Sequence, residues 1–361
     1  MINFKNQSSA FMLFLILFWL AVQFGMTSFF AILNEVGYSI SASWTLWITI
    51  LMLLVGLLLP LIIWLKMTND GFRCNMPNRP LGIVNFLLVV VIGFVVQPIA
   101  MFISSIFSLF FVNDAAAMLN AVADQPWWLM MLAIAVTPGI VEELVFRGYI
   151  QTKTTGGIAK VAILNGFLFG IMHLSPHQFM YTFVLGVLFA YMVYFTKSIW
   201  AGIIPHFILN GTQVTLAYFA PTPDSAGEAY AVQEFAQGLY DAFVISSPDF
   251  ARQVYEWALG LDIMVIAIFS VGLFAIFAGF VLAGVMVVFV AHNRKRKLMF
   301  EAYEADDKTA SSLLSSVAEG LAADPHCNGG IEKTPIWKRI DWCLVGVVGI
   351  YILVVVEPLF A

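Results

Sequence analysis

Charge is what this sequence has least of. Of its 361 residues only 11% are charged, whereas 61% are hydrophobic. A soluble core cannot hide that much apolar surface, so the chain is predicted to be an all-α, polytopic membrane bundle. Cysteine is almost missing as well. Cys74, Cys327 and Cys343 form no CxxC, and no disulfide framework is expected. There is no Gly-rich phosphate loop in a strand-to-helix context, no internal repeat and no HExxH. No nucleic-acid partner is expected. A cleavable signal peptide is not expected either, because the apolar run after Lys5 is longer than a signal h-region and has no small-residue cleavage site.

What is present is a series of apolar runs near 10–33, 43–65, 81–112, 127–150, 158–174, 177–196, 198–219, 261–291 and 337–356, read as about nine transmembrane helices. The third run is over-long and contains Pro98, which predicts a tilt or kink. Keeping it as one span, with the N-terminus cytoplasmic, puts every lysine and arginine except Arg252 on the inner side. Splitting it would scatter those charges over both faces. The predicted location is the cell membrane. By this reading 1–120 holds the N-terminal spans, 121–220 a helical core, 221–260 an acidic outer loop and 261–361 two last spans. A cytoplasmic linker, 292–336, separates those two. The outer loop has mixed helical periodicity from Glu228 to Leu259, which suggests interfacial helices. The linker opens with Arg294, Lys295, Arg296 and Lys297, a stop-transfer anchor for headgroups and a candidate contact for anionic lipids.

The chain is organised around Thr137-Pro-Gly-Ile-Val-Glu142-Glu143-Leu-Val-Phe-Arg147. Two glutamates and an arginine stand where the solvent is hydrocarbon, at a cost of about 2.5–3.5 kcal/mol for a charge near the bilayer centre. Glu143 and Arg147 are i and i+4 and can pair. Glu142 points about 100° away and is free of that arginine. One carboxylate reads as structural and the other as available for chemistry. Pro138 removes a backbone donor just ahead of them and can kink the helix.

Three histidines lie in neighbouring runs. His173 shares a face with Phe169, and His206 shares one with Asn210, each pair at i, i+4. His177 follows Ser175-Pro176 and reads as a residue of the outer turn. Counting about 1.5 Å per residue from the inner ends puts Glu142 and the His206–Asn210 pair ~12–18 Å deep, and His173 ~20 Å deep. A shared cavity on the cytoplasmic half of the bundle follows. A lone core histidine is usually a satisfied structural group. Polar groups recurring on separate spans favour function.

Glu142-Glu143-x-x-x-Arg147, then Phe169-x-x-x-His173, then His206-x-x-x-Asn210 resembles the CPBP family of intramembrane proteases, over about 127–215. That family includes the CAAX prenyl endopeptidases and the Abi bacteriocin-immunity proteins. The resemblance implies an intramembrane endopeptidase acting on membrane-associated, CAAX-type or small peptide substrates. It implies that Glu142 activates water with help from His173, that Glu143 and Arg147 support it, and that His206 and Asn210 stabilise the oxyanion. A buried carboxylate is suited to a general base, and donors aimed at the scissile carbonyl lower the barrier. No cofactor is expected. The alternative enzyme is a zinc protease using Glu142, His173 and His206 as ligands. Outside catalysis, a scaffold or immunity protein and a proton-coupled transporter compete. The latter would show inverted repeats, and none is present.

Overall fold

The computed structural model describes residues 7–71, 76–219, 225–244, 247–259, 263–314 and 342–356. Among them every regular element is a helix. In chain order these are α1 (Gln7–Glu35), α2 (Ala42–Thr68), α3 (Ile83–Phe107), α4 (Asp114–Ala121), α5 (Trp127–Lys153), α6 (Ile158–Met172), α7 (Pro176–Thr196), α8 (Trp200–Phe219), α9 (Ser225–Phe243), α10 (Pro248–Leu259), α11 (Ile263–Leu314) and α12 (Trp342–Tyr351). Six are long and apolar enough to cross a membrane: α1, α2, α3, α5, α7 and the Ile268–Arg294 part of α11. The chain is an all-α, multi-pass membrane protein.

Three of the nine expected crossings fall short of that measure among the described residues. Helix α6 has 15 residues, about 22 Å of rise against a hydrocarbon core of about 30 Å. Much of it is sheathed by protein, with Val161, Ala162, Leu168, Phe169 and Ile171 buried. The last run gives only a short apolar helix, Cys343–Val355. Helix α8 has 20 residues, but Pro205, His206, Asn210, Thr212 and Gln213 dilute its apolarity.

The third run is one span with an internal break. Val96 departs from helical ψ at −17°, and Pro98 opens the second half, where its missing N–H costs nothing. Two expectations need correction. The segment from 292 is not a loop as far as Leu314, because α11 runs on through it. From Arg294 to Ala310 there is no Gly or Pro, and Lys, Arg, Glu and Ala are strong helix formers. The rest of the 292–336 linker lies outside the described residues. His177 is not a loop residue either. Pro176 sits at the first position of α7 and Ser175 caps it, accepting from the Gln178 N–H, so His177 is in the first helical turn and fully buried.

Contacts between loops sort the bundle into two ends. At one, Lys153 pairs with Asp70 at 3.0 Å, and Arg79 N and Ile199 N donate to Lys197 O and Pro77 O. At the other, Ser43 bonds Gln125, Trp127 Nε1 donates to Thr215 at 3.3 Å, and His177 Nε2 donates to Ser104 O at 3.1 Å. Helices α2, α3, α5, α7 and α8 thus alternate in direction between the two ends.

Helices α6 and α7 form a tight antiparallel hairpin built on small residues. A Cβ at Gly166 would come within 2.7 Å of Phe183 O, and one at Gly186 within 2.7 Å of Gly166 Cα. Two apolar clusters flank the hairpin. The first joins α1, α2, α5, α6 and α12 and contains Phe146 and Phe169. The second joins α3, α7, α8 and α11 and contains Phe189 and Leu209. The polar residues of α5 and α8 lie at the seam between them.

Candidate active site

Helix α5 is irregular on both sides of its glutamates. Wide π-type turns at Met131–Val136 and Leu144–Ile150 flank the α-helical turn Thr137–Glu143. Such turns leave carbonyls without their usual donors, and side chains supply substitutes. Thr137 Oγ1 donates to Leu132 O at 2.7 Å. In α-helical register the donor to Ile134 O would be residue 138, a proline. Asn210 Nδ2 donates to that carbonyl instead, at 3.0 Å. On the far side Asn165 Nδ2 donates to Phe146 O at 2.7 Å and Gln151 Nε2 to Ala190 O at 2.9 Å. The segment carrying the carboxylates is thus tied to α6, α7 and α8.

Glu143 and Arg147 are both fully buried, and their ion pair is 2.7 Å long. The guanidinium also donates to Gly186 O at 3.3 Å and stacks over Phe169 at 4.3 Å and Phe189 at 5.3 Å. A weakly hydrated planar cation suits such an aromatic sandwich. Glu143 Oε1 further accepts from His206 Nδ1 at 3.0 Å. Gly202 leaves room for the other carboxylate oxygen, with which any Cβ there would collide.

Glu142 differs. Its side chain retains 14% exposure against none for Glu143. Its Oε2 has no hydrogen-bond partner and lies 3.9 Å from His206 Nε2. His173 closes the C-terminal end of α6, with Nδ1 on Phe169 O at 2.9 Å and its ring edge-on to Phe169 at 5.0 Å. The same Phe169 ring meets His206 edge-on at 5.9 Å.

The partners of the two imidazoles fix their tautomers. A carbonyl oxygen and an arginine-paired carboxylate only accept, so each Nδ1 carries the proton. In its neutral form each ring therefore offers a lone pair at Nε2. Around Glu142 the site is rich in acceptors, an arrangement that suits a water molecule or one extra proton. Zinc would require Glu142, His173 and His206 to converge on one ion. Among the described residues no group of three His, Cys, Asp or Glu side chains is so arranged.

Of the residues expected from sequence, Glu142, Glu143, Arg147, Phe169, His173 and His206 meet in one place. Asn210 is one turn from His206, and its amide nitrogen is directed to Ile134 O. Sequence reading missed Phe189, Gly186 and Gly202. Phe189 is one of 33 phenylalanines with no motif to single it out. Gly202 lies four residues before His206 on the same helical face, a spacing that marks close approach only once the neighbour is known.

Residues 124–212 match the family model described as type II CAAX prenyl endopeptidase Rce1-like. The chain is also similar to a Bacillus subtilis (strain 168) protein named "Putative membrane peptidase YdiL", 30% identical over 103 residues. That alignment covers 27% of this chain and 40% of the relative. No solved structure matches the chain. The matched segment runs from just before α5 to the middle of α8 and contains every residue of the cluster above.

Proposed function

We propose that the chain is an intramembrane endopeptidase that hydrolyses CAAX-type or other membrane-associated peptides with a glutamate-activated water. One observation carries this reading: of two adjacent carboxylates, Glu143 is fully buried with its Oε1 held by both Arg147 and His206, while Glu142 keeps 14% exposure and no arginine or histidine within hydrogen-bond distance. Glu142 takes the proton of the attacking water, and the His173 Nε2 lone pair holds the water's second hydrogen. The water oxygen bonds to the scissile carbonyl carbon, and the proton on Glu142 passes to the leaving amine as the C–N bond breaks. Glu143, paired with Arg147, keeps His206 oriented. His206 donates to the oxyanion once its Nε2 has taken up from water the one extra proton that the acceptor-rich site accommodates, as does the second Asn210 N–H. No metal is needed in this scheme. The lack of a converging three-ligand set and the commitment of His206 to Glu143 favour it over zinc.

The N-terminus and the Arg294–Lys297 run face the cytoplasm of the cell membrane in this reading, where those four residues contact anionic lipid headgroups. The substrate enters from the bilayer, and nucleic acid plays no part.

The test is cleavage of a prenylated CAAX peptide by the purified full-length protein, followed by mass spectrometry. The expected product has lost the residues after the prenylated cysteine. Cleavage confined to unprenylated peptides would refute the substrate class, and no cleavage of either would refute the activity.

A further inference from the structure

His206 works from both sides of one ring. Its Nδ1 meets Glu143 Oε1 at 3.0 Å, and its Nε2 lies 3.9 Å from Glu142 Oε2, beside the reacting carbonyl. A single hydrogen bond at Nδ1 anchors one point of the imidazole and leaves its plane free to turn. A donor displaced by about 1 Å can cost about 100-fold in rate. The plane is set by what packs against the ring.

Two aromatic side chains do so. Phe169 meets His206 edge-on, at 5.9 Å and 87°. Phe189 lies at the same 5.9 Å, but with the two planes inclined by only 37°. One neighbour presents an edge and the other a more nearly parallel ring, both at distances typical of interacting aromatic pairs. Phe189 is itself held in place. It is buried, and it stands at i+3 from Gly186 on one face of α7. Arg147 donates to Gly186 O at 3.3 Å, and its guanidinium lies 5.3 Å from the Phe189 ring. The close approach of Gly186 to Gly166 leaves α7 no room to shift against α6. A ring fixed by α5, α6 and α7 thus packs on a side chain of α8.

We infer that Phe189 is a positioning residue, whose ring sets the plane of the His206 imidazole so that Nε2 stays aimed at the oxyanion while Nδ1 stays on Glu143. Phe189 touches no reacting atom, and its effect on rate passes through His206. This inference rests on the peptidase reading above.

The experiment compares full-length variants in detergent on the prenylated CAAX peptide, with melting followed in parallel. Phe189→Leu removes the ring and keeps an apolar side chain. Its control is Phe289→Leu on α11, the same change in the same apolar cluster but outside the four helices that carry the site. Both are expected to lower Tm. Only Phe189→Leu is expected to lower kcat, about tenfold, with KM within twofold. The two changes Phe189→Leu and His206→Ala are then combined. In the His206→Ala background, Phe189→Leu should alter the remaining kcat by less than twofold. If Phe189→Leu does not fold, Phe189→Met, which also lacks the ring, takes its place. Wild-type kcat in Phe189→Leu, or an equal loss in Phe289→Leu, would overturn the role. Losses that multiply in the double variant would also overturn it, because Phe189 would then act by a route other than His206. Turnover surviving in Glu142→Gln would overturn the peptidase mechanism itself, whatever Phe189→Leu does.

Discussion

The helices of the matched segment and those around it differ most in how they are covered. In the most apolar window of α5, 61% of residues are buried by protein, and in that of α7 44% are. For α1, α2 and α3 the share is 28%, and for α11 only 17%. The outer helices present to the bilayer what the inner ones present to each other. Phe269, Phe274, Phe277 and Phe280 of α11 are exposed, whereas Phe146, Phe169 and Phe189 close around Arg147. In lipid the hydrophobic effect gives little reason for helices to associate, so the inner bundle is held by other means. Those means are small-residue contacts, amide-to-carbonyl bonds and a buried ion pair. Chemistry can be housed there because the same contacts that hold the helices also fix the side chains.

If that contrast is right, single changes inside the bundle are costly and equivalent changes outside are not. The largest effect is expected at Glu143. Its replacement by Gln leaves Arg147 buried without its counter-charge and should destabilise by about 3–5 kcal/mol. Adding Arg147→Met removes both charges and fills the slot between Phe169 and Phe189, and should restore most of the lost Tm. A second comparison uses glycine. Gly166→Leu forces a side chain into the Phe183 backbone and should cost about 1–3 kcal/mol, whereas Gly284→Leu on α11, with nothing within 4 Å, should change Tm little. Equal melting of the two variants would erase the distinction.

The smallest effect concerns a polar tie within the outer set of helices. Asn85 of α3 and Asn293 of α11 exchange amide hydrogen bonds at 3.1 and 2.9 Å, both buried. Asn293→Ala leaves Asn85 Oδ1 without its donor, while Nδ2 keeps Leu81 O, and should cost about 1–2 kcal/mol. The double variant Asn85→Ala/Asn293→Ala should cost no more than the single change. Additive losses in a double-mutant cycle would show that the two amides act separately.

The sequence made some of this legible and left some of it out of reach. Spans with strong apolarity were readable because lipid imposes a length on them, and the i, i+4 pairing of Glu143 with Arg147 because helical geometry is local. The number of crossings was not readable. Helix α6 reads as apolar whether lipid or protein covers it, and only packing decides. His177 was misread because Ser175-Pro176 signals a turn and a helix start equally well. Asn210 showed its place beside His206 but not its tie to Ile134, which depends on a proline in a different helix. Phe189 carried no signal, since aromatic residues are common throughout the chain.

The central claim is that neighbouring carboxylates divide the labour, Glu142 for proton transfer and Glu143 for structure. Its most direct test sets peptidase rate beside melting temperature for Glu142→Gln and Glu143→Gln in the same detergent. The account predicts that Glu142→Gln melts as wild type does and loses turnover by about 100-fold or more, while Glu143→Gln loses both activity and Tm. Substantial turnover in Glu142→Gln, or an inactive Glu143→Gln with wild-type melting, would contradict it.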